Sequence, residues 1–159
     1  MDVANILKPG NVHCEPGARS KKHALELLSQ ALADASGTHS AEEVLEGLIQ
    51  RERLGCTGLG KSVAMPHTRS NGLEHSVGAF VRLDNAVAFD SSDGAPVDML
   101  FGLLVPNDCG DEQIKEVREL IEKLRDSALQ QELREAEEPA ELYDVLTESL
   151  TIIHKKLNI

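Results

Sequence analysis

Residues 55–69, Gly-Cys-Thr-Gly-Leu-Gly-Lys-Ser-Val-Ala-Met-Pro-His-Thr-Arg, hold two rival chemistries. Gly55, Gly60, Lys61 and Ser62 satisfy the spacing G-x-x-x-x-G-K-[ST], in which backbone N–H groups and a lysine cradle nucleotide phosphates. His67 follows. An imidazole of ordinary basicity, with a pKa of about 6.5, keeps a free lone pair near neutral pH and is a nucleophile in its own right.

The elements on either side decide against the nucleotide. A phosphate loop joins a buried strand to a helix whose N-terminus faces the anion. Here the residues before Gly55 carry a helical pattern, Val63 favours an extended chain, and Pro66 would break any helix begun at Ser62. Asp98 precedes its apolar run instead of ending it, so the second acidic part of such a site is missing as well. Lys61 and Ser62 are then solvated loop residues. The glycines keep two readings: a helix-to-strand connection needing positive φ, or a clearing in which backbone N–H groups approach an anion near His67. Spacing alone favours the first.

Other roles for His67 have little in their favour beyond an ordinary structural one. A metal site needs partners, and no second histidine stands at i+2, i+3 or i+4; His75 lies in a polar stretch. No G-x-S-x-G elbow signals a hydrolase. Cys14, Cys56 and Cys109 are odd in number and never in C-x-x-C spacing, which predicts reduced structural thiols and a cytoplasmic home.

Helical spacing of Ala24, Leu25, Leu28, Ala31 and Leu32 predicts a helix over 20–35, with Ser20 as N-cap and Gly37 beyond its end. Ser40 and Glu43 form a capping-box pair before Val44, Leu45, Leu48 and Ile49, and Gly55 closes that second helix. Val77, Ala79, Val81 and Leu83 alternate as in a strand, and Asp84-Asn85 predicts a hairpin turn into a short strand at 86–89. The run 97–105 reads as a strand covered on both faces. Ile114, Val117, Leu120, Ile121 and Leu124 make an amphipathic helical stripe. Further helices are expected over 128–136 and from Ala140 to about Leu150, with a loose tail from about 151. The prediction is an α/β fold: a single domain over 1–159, with a mixed central β-sheet covered by helices on both faces.

A chain of 159 residues with 41% apolar content can bury such a core. Its net charge of −11 excludes a nucleic-acid binder and disfavours an anionic membrane surface, while leaving room for a basic protein partner. The longest apolar run, 99–105, is too short to enter a bilayer as a span, and the N-terminus lacks the pattern of a secretory signal.

Taken together, "GCTGLGKSVAMPHTR" and "AFDSSDGAPVDMLFGLLVP" resemble the type 2 enzyme IIA domain of the bacterial phosphotransferase system, and within it the nitrogen-regulatory members. The family shows a T/S-G-x-G-x-x-x-A-x-P-H-G core and an apolar strand ending in L-L-V-P; matching features run from about "LLSQAL" to "ELYDVL". The resemblance implies that His67 accepts a phosphoryl group, through Nε2, from the histidine of a small phosphocarrier. It implies that Arg51 holds the phosphate oxygens, that Thr57 offers its hydroxyl, and that Gly58 and Gly60 clear room for the backbone. No cofactor, nucleotide or metal is implied. Two departures stand out. Thr68 occupies the place of the family's glycine, and Gln113 that of a second histidine, in H-L-x-x-L; an amide donates a hydrogen bond but carries no charge. Three functions follow: a regulator of nitrogen- or potassium-related targets switched by phosphorylation, a sugar-specific donor to a membrane permease, or a binding module that is no longer phosphorylated.

Overall fold

Helix boundaries in the computed structural model, which describes residues 3–157, follow the local chemistry. A short helix α1 (Val3–Ile6) and a 3-10 turn lead into strand β1 (Val12–Gly17). Helix α2 (Lys21–Ser36) starts where the Ser20 hydroxyl accepts from the His23 N–H at 3.1 Å. It stops at Gly37, whose left-handed φ of 72° few other residues adopt at low cost. Helix α3 (Ala41–Leu54) repeats the device: Ser40 caps the Glu43 N–H, and Gly55 ends the helix with its N–H on the Glu52 carbonyl.

The remaining strands are β2 (Gly58–Gly60), β3 (Val63–Ala64), β4 (His67–Ser70), β5 (Val77–Val87) and β6 (Val97–Pro106). They form one mixed sheet in the order β1-β5-β6-β3-β2, with β4 also on β6. β1 runs parallel to β5, β5 antiparallel to β6, and both β3 and β4 parallel to β6. The pairs Ala64–Leu100 and His67–Leu103 keep the same offset, so β3 and β4 are one strand interrupted at Met65-Pro66. Pro66 has no N–H to give the ladder, though its carbonyl still accepts from Leu103 at 3.0 Å. His67 is the first residue after the break.

Strand alternation sends side chains into two layers. Phe80, Met99, Phe101 and Leu103 pack under α4 (Asp111–Ile121), α5 (Ser127–Glu135) and α6 (Pro139–Leu157), against Val117, Ile121, Leu133, Leu142 and Leu146. Ala64, Ala79, Val81, Leu100 and Leu104 face α2 and α3, against Leu25, Leu28, Leu32, Val44 and Leu48. Each large apolar side chain sealed this way contributes about 1.5–3 kcal/mol. This is the predicted architecture, a mixed sheet with helices on both faces.

Three local expectations change. The hairpin at Asp84-Asn85 is absent: β5 runs straight through to Val87, because β1 offers a pairing edge there. Asn85 sits opposite Gly17, and its amide donates to the Pro16 carbonyl at 3.1 Å. A hairpin forms instead between β2 and β3, where Lys61 and Ser62 both take left-handed φ, 51° and 70°. The last helix continues past Leu150 to Leu157, while the looseness expected of the tail from 151, like the packing of Leu120, concerns side chains outside those described. Lys61 and Ser62 thus belong to a strand–turn–strand unit, and the Lys61 N–H is held by the Asp93 carboxylate at 2.8 Å.

Candidate functional site

The break before His67 determines what its ring can do. With the chain turned at Met65-Pro66, Nδ1 lies 2.9 Å from the Met65 carbonyl. A carbonyl can only accept, so Nδ1 carries the proton and Nε2 keeps its lone pair. Partial burial lowers the ring's pKa, and the charges of Arg51 and Arg118 add to this; the Met65 hydrogen bond and Glu52 oppose it. The imidazole is therefore neutral at pH 7, in the tautomer that leaves the Nε2 lone pair free.

His67 borders a cleft of ≈ 700 Å³ between the end of α3, strand β4 and the start of α4. Four cations, Arg51, Arg69, Lys115 and Arg118, line it together with the single carboxylate of Asp111. Arg69 is engaged with Asp111 at 2.6 Å and with the Cys109 carbonyl. Arg51 lies in the last turn of α3, braced by an Nη1 hydrogen bond to the Gly55 carbonyl at 2.9 Å. Set in a molecule of net charge −11, this is a local cationic pocket suited to an anion.

The other expected residues separate. Thr57 is buried and shares a small recess with Arg51, His67 and Arg118. Its hydroxyl, however, donates to Glu52, as does its N–H at 3.2 Å, and Glu52 is paired with Lys21 at 2.8 Å. Thr57 thereby fixes the carboxylate next to the site. Gly58 and Gly60 do not line the cleft. A Cβ on Gly58 would fall 2.3 Å from the Ser91 hydroxyl, and Gly60, at φ 87°, enters the β2–β3 turn. Their smallness serves packing and the turn.

Gln113 is not brought to His67. The face of α4 toward the cleft is Asp111, Ile114, Lys115 and Arg118, spaced i, i+3, i+4 and i+7, and Gln113 lies off it. Its amide oxygen accepts from the Cys109 thiol at 2.8 Å, and its side chain borders a different cleft, beside Glu74 and His75. Arg118 is the residue the sequence reading missed. The signal was present in that same spacing, which continues one turn beyond the position where a second histidine was sought. Thr68 has its own compensation across the site: a Cβ on Gly47 of α3 would lie 2.7 Å from the Thr68 hydroxyl. The glycine that the family places after the histidine is here matched by one on the facing helix.

A histidine lining a cleft rich in cations, on an open mixed sheet with helices on both faces, is the frame in which the comparisons with known proteins fall. The chain belongs to the EIIA 2 family of the phosphoenolpyruvate-dependent sugar phosphotransferase system, whose sequence profile matches residues 5–149. It is similar to the nitrogen regulatory protein of Klebsiella oxytoca, 36% identical over 154 residues that span 94% of this chain and 92% of that protein. The crystal structure of nitrogen regulatory protein IIA-Ntr from Neisseria meningitidis superposes with a TM-score of 0.81 at 33% identity, covering 91% of this chain and 99% of that one. The mannitol enzyme IIA of Escherichia coli, solved in complex with phosphorylated enzyme IIB, shares the fold at 21% identity, with a TM-score of 0.70 over 89% of this chain and 97% of that one. Among the described residues no helix is long and apolar enough to cross a membrane.

Proposed function

We propose that His67 reversibly accepts a phosphoryl group from the phosphohistidine of a small phosphocarrier protein in the cytoplasm, and that its phosphorylation state switches binding to regulatory targets. The observation that carries this reading is the Nδ1–Met65 hydrogen bond, which leaves Nε2 unprotonated on a ring that lines a cationic cleft. In the transfer the Nε2 lone pair forms a bond to phosphorus as the carrier's P–N bond breaks and its electron pair returns to the carrier imidazole. The positive charge that appears on the His67 ring is shared through Nδ1–H with the Met65 carbonyl. Donor and acceptor are both imidazoles, so the step is nearly balanced and reversible. The protein's contribution is alignment and cancellation of charge on the three outer oxygens, with Arg51 the first ligand.

Similarity to nitrogen regulatory proteins supports a signalling role over sugar delivery. Nearly two added negative charges in this cleft are enough to change which surface it complements. The suggestion of a module that is no longer phosphorylated came from Gln113, and that residue lies outside the cleft. The test is mass spectrometry in mildly alkaline buffer after incubation with phosphoenolpyruvate and the phosphocarrier system. Wild type should gain one phosphoryl group and His67→Ala none; if both stay unmodified, the reading is wrong.

A further inference from the structure

The open cleft and the recess behind it have three residues in common: Arg51, His67 and Arg118. Arg51 comes from the end of α3 and Arg118 from α4, so the two guanidiniums reach the cleft that His67 lines from different elements. We propose that Arg118 is the second cationic ligand of the phosphoryl group, in the part that the resemblance had assigned to Gln113. The inference rests on His67 being the acceptor.

Each alternative is engaged elsewhere or differently placed. Gln113 is bonded to Cys109 and borders the other cleft. Arg69 is tied to Asp111, and Thr57 to Glu52. Lys115 lines the open cleft but not the recess at the ring. Arg118 meets Glu122 through Nε at 3.5 Å, which braces one edge of the guanidinium, and a planar fork held at one edge still has Nη groups to offer an anion. Its charge already acts on the His67 ring alongside that of Arg51. Two guanidiniums from different elements beside one imidazole match a doubly charged group with three outer oxygens.

A chemical consequence separates this ligand from a histidine. Arginine stays charged throughout the working range, whereas an imidazole loses its charge above about pH 6.5. The charged and titratable groups around the His67 ring are Arg51 and Glu52 from α3, Cys56 beyond its end and Arg118 from α4, with Arg69, Asp111 and Lys115 on the outer cleft. No second imidazole is among them. Phosphorylation should therefore show one acidic limb, from His67, and no decline from a second imidazole at neutral pH.

The experiment measures initial rates of phosphoryl transfer from the phosphorylated carrier to the full chain across that pH range. Arg118→Ala should slow labelling by about 10- to 100-fold, the span expected for loss of a charge-assisted hydrogen bond. Arg118→Lys should recover part of the rate, and Gln113→Ala should stay within about twofold of wild type. Arg118→His should add a declining limb above about pH 6.5 that wild type lacks. Unchanged melting temperatures for the Arg118 variants, in which an exposed side chain is altered, would separate this from misfolding. Wild-type rates in Arg118→Ala, or the main loss appearing in Gln113→Ala, overturns the assignment while leaving His67 as acceptor. An unlabelled wild type overturns both.

Discussion

At the scale of single residues, the Met65 carbonyl and the two arginines act on His67 in a way that titration can read. Burial, with the charges of Arg51 and Arg118, moves the ring's pKa below its ordinary value of about 6.5. Protonation removes the Nε2 lone pair, so the labelling rate should hold level from pH 8 down past 6.5 and fall only in more acid solution. A rate-against-pH profile checks this; a midpoint above 7 would mean that the ring is not held neutral. Residue type and spacing drew attention to His67, but it took the resemblance of the whole motif to a known family to attach a role to it and to Arg51. The part of Thr57 was not legible, because a hydroxyl beside an expected anion gives no hint that Glu52, itself paired with Lys21, already accepts from it. Arg118 was hidden for another reason. A charge beside the apolar stripe of α4 has the pattern of an ordinary solvated helix face.

Between elements, the contact of α3 with β4 decides how the site accommodates Thr68. Gly47 has no Cβ, and one placed there would meet the Thr68 side chain at 2.7–3.3 Å. Gly47→Ala should accordingly destabilise the protein by about 1–3 kcal/mol by overpacking, despite alanine's better helix propensity. Thr68→Gly in the same chain should restore much of that loss, and denaturant unfolding of both single variants and the double variant measures the coupling. The β2–β3 turn offers an opposite opportunity. Lys61 and Ser62 hold left-handed φ without the residues that favour it. Replacing the pair by Lys61→Asn with Ser62→Gly should raise stability by about 1 kcal/mol, seen as a higher melting temperature. Helix caps were legible because Ser20, Gly37, Ser40 and Gly55 act on their own neighbours. The turns were not, since Asp84-Asn85 is held straight by a distant edge of β1, and Lys61-Ser62 is bent by the need to return β3 to β6.

Over the whole molecule, the fold class was readable because hydrophobic period changes from helical to alternating and back along the chain. What no period could reveal is that β3 and β4 are one broken strand on β6, since that depends on pairing with residues far along the chain. The break brings the Met65 carbonyl onto Nδ1 of a ring that lines a basic cleft in an otherwise acidic protein, and the proposed function rests on that arrangement. Nitrogen and phosphorus NMR of the 15N-labelled protein, before and after incubation with the phosphorylated carrier, tests this account most directly. The account predicts a neutral His67 ring protonated on Nδ1 before transfer, and a phosphoryl group bonded to its Nε2 afterwards. A phosphoryl group on Nδ1 or on another residue, or a His67 ring unchanged by active carrier, would contradict it.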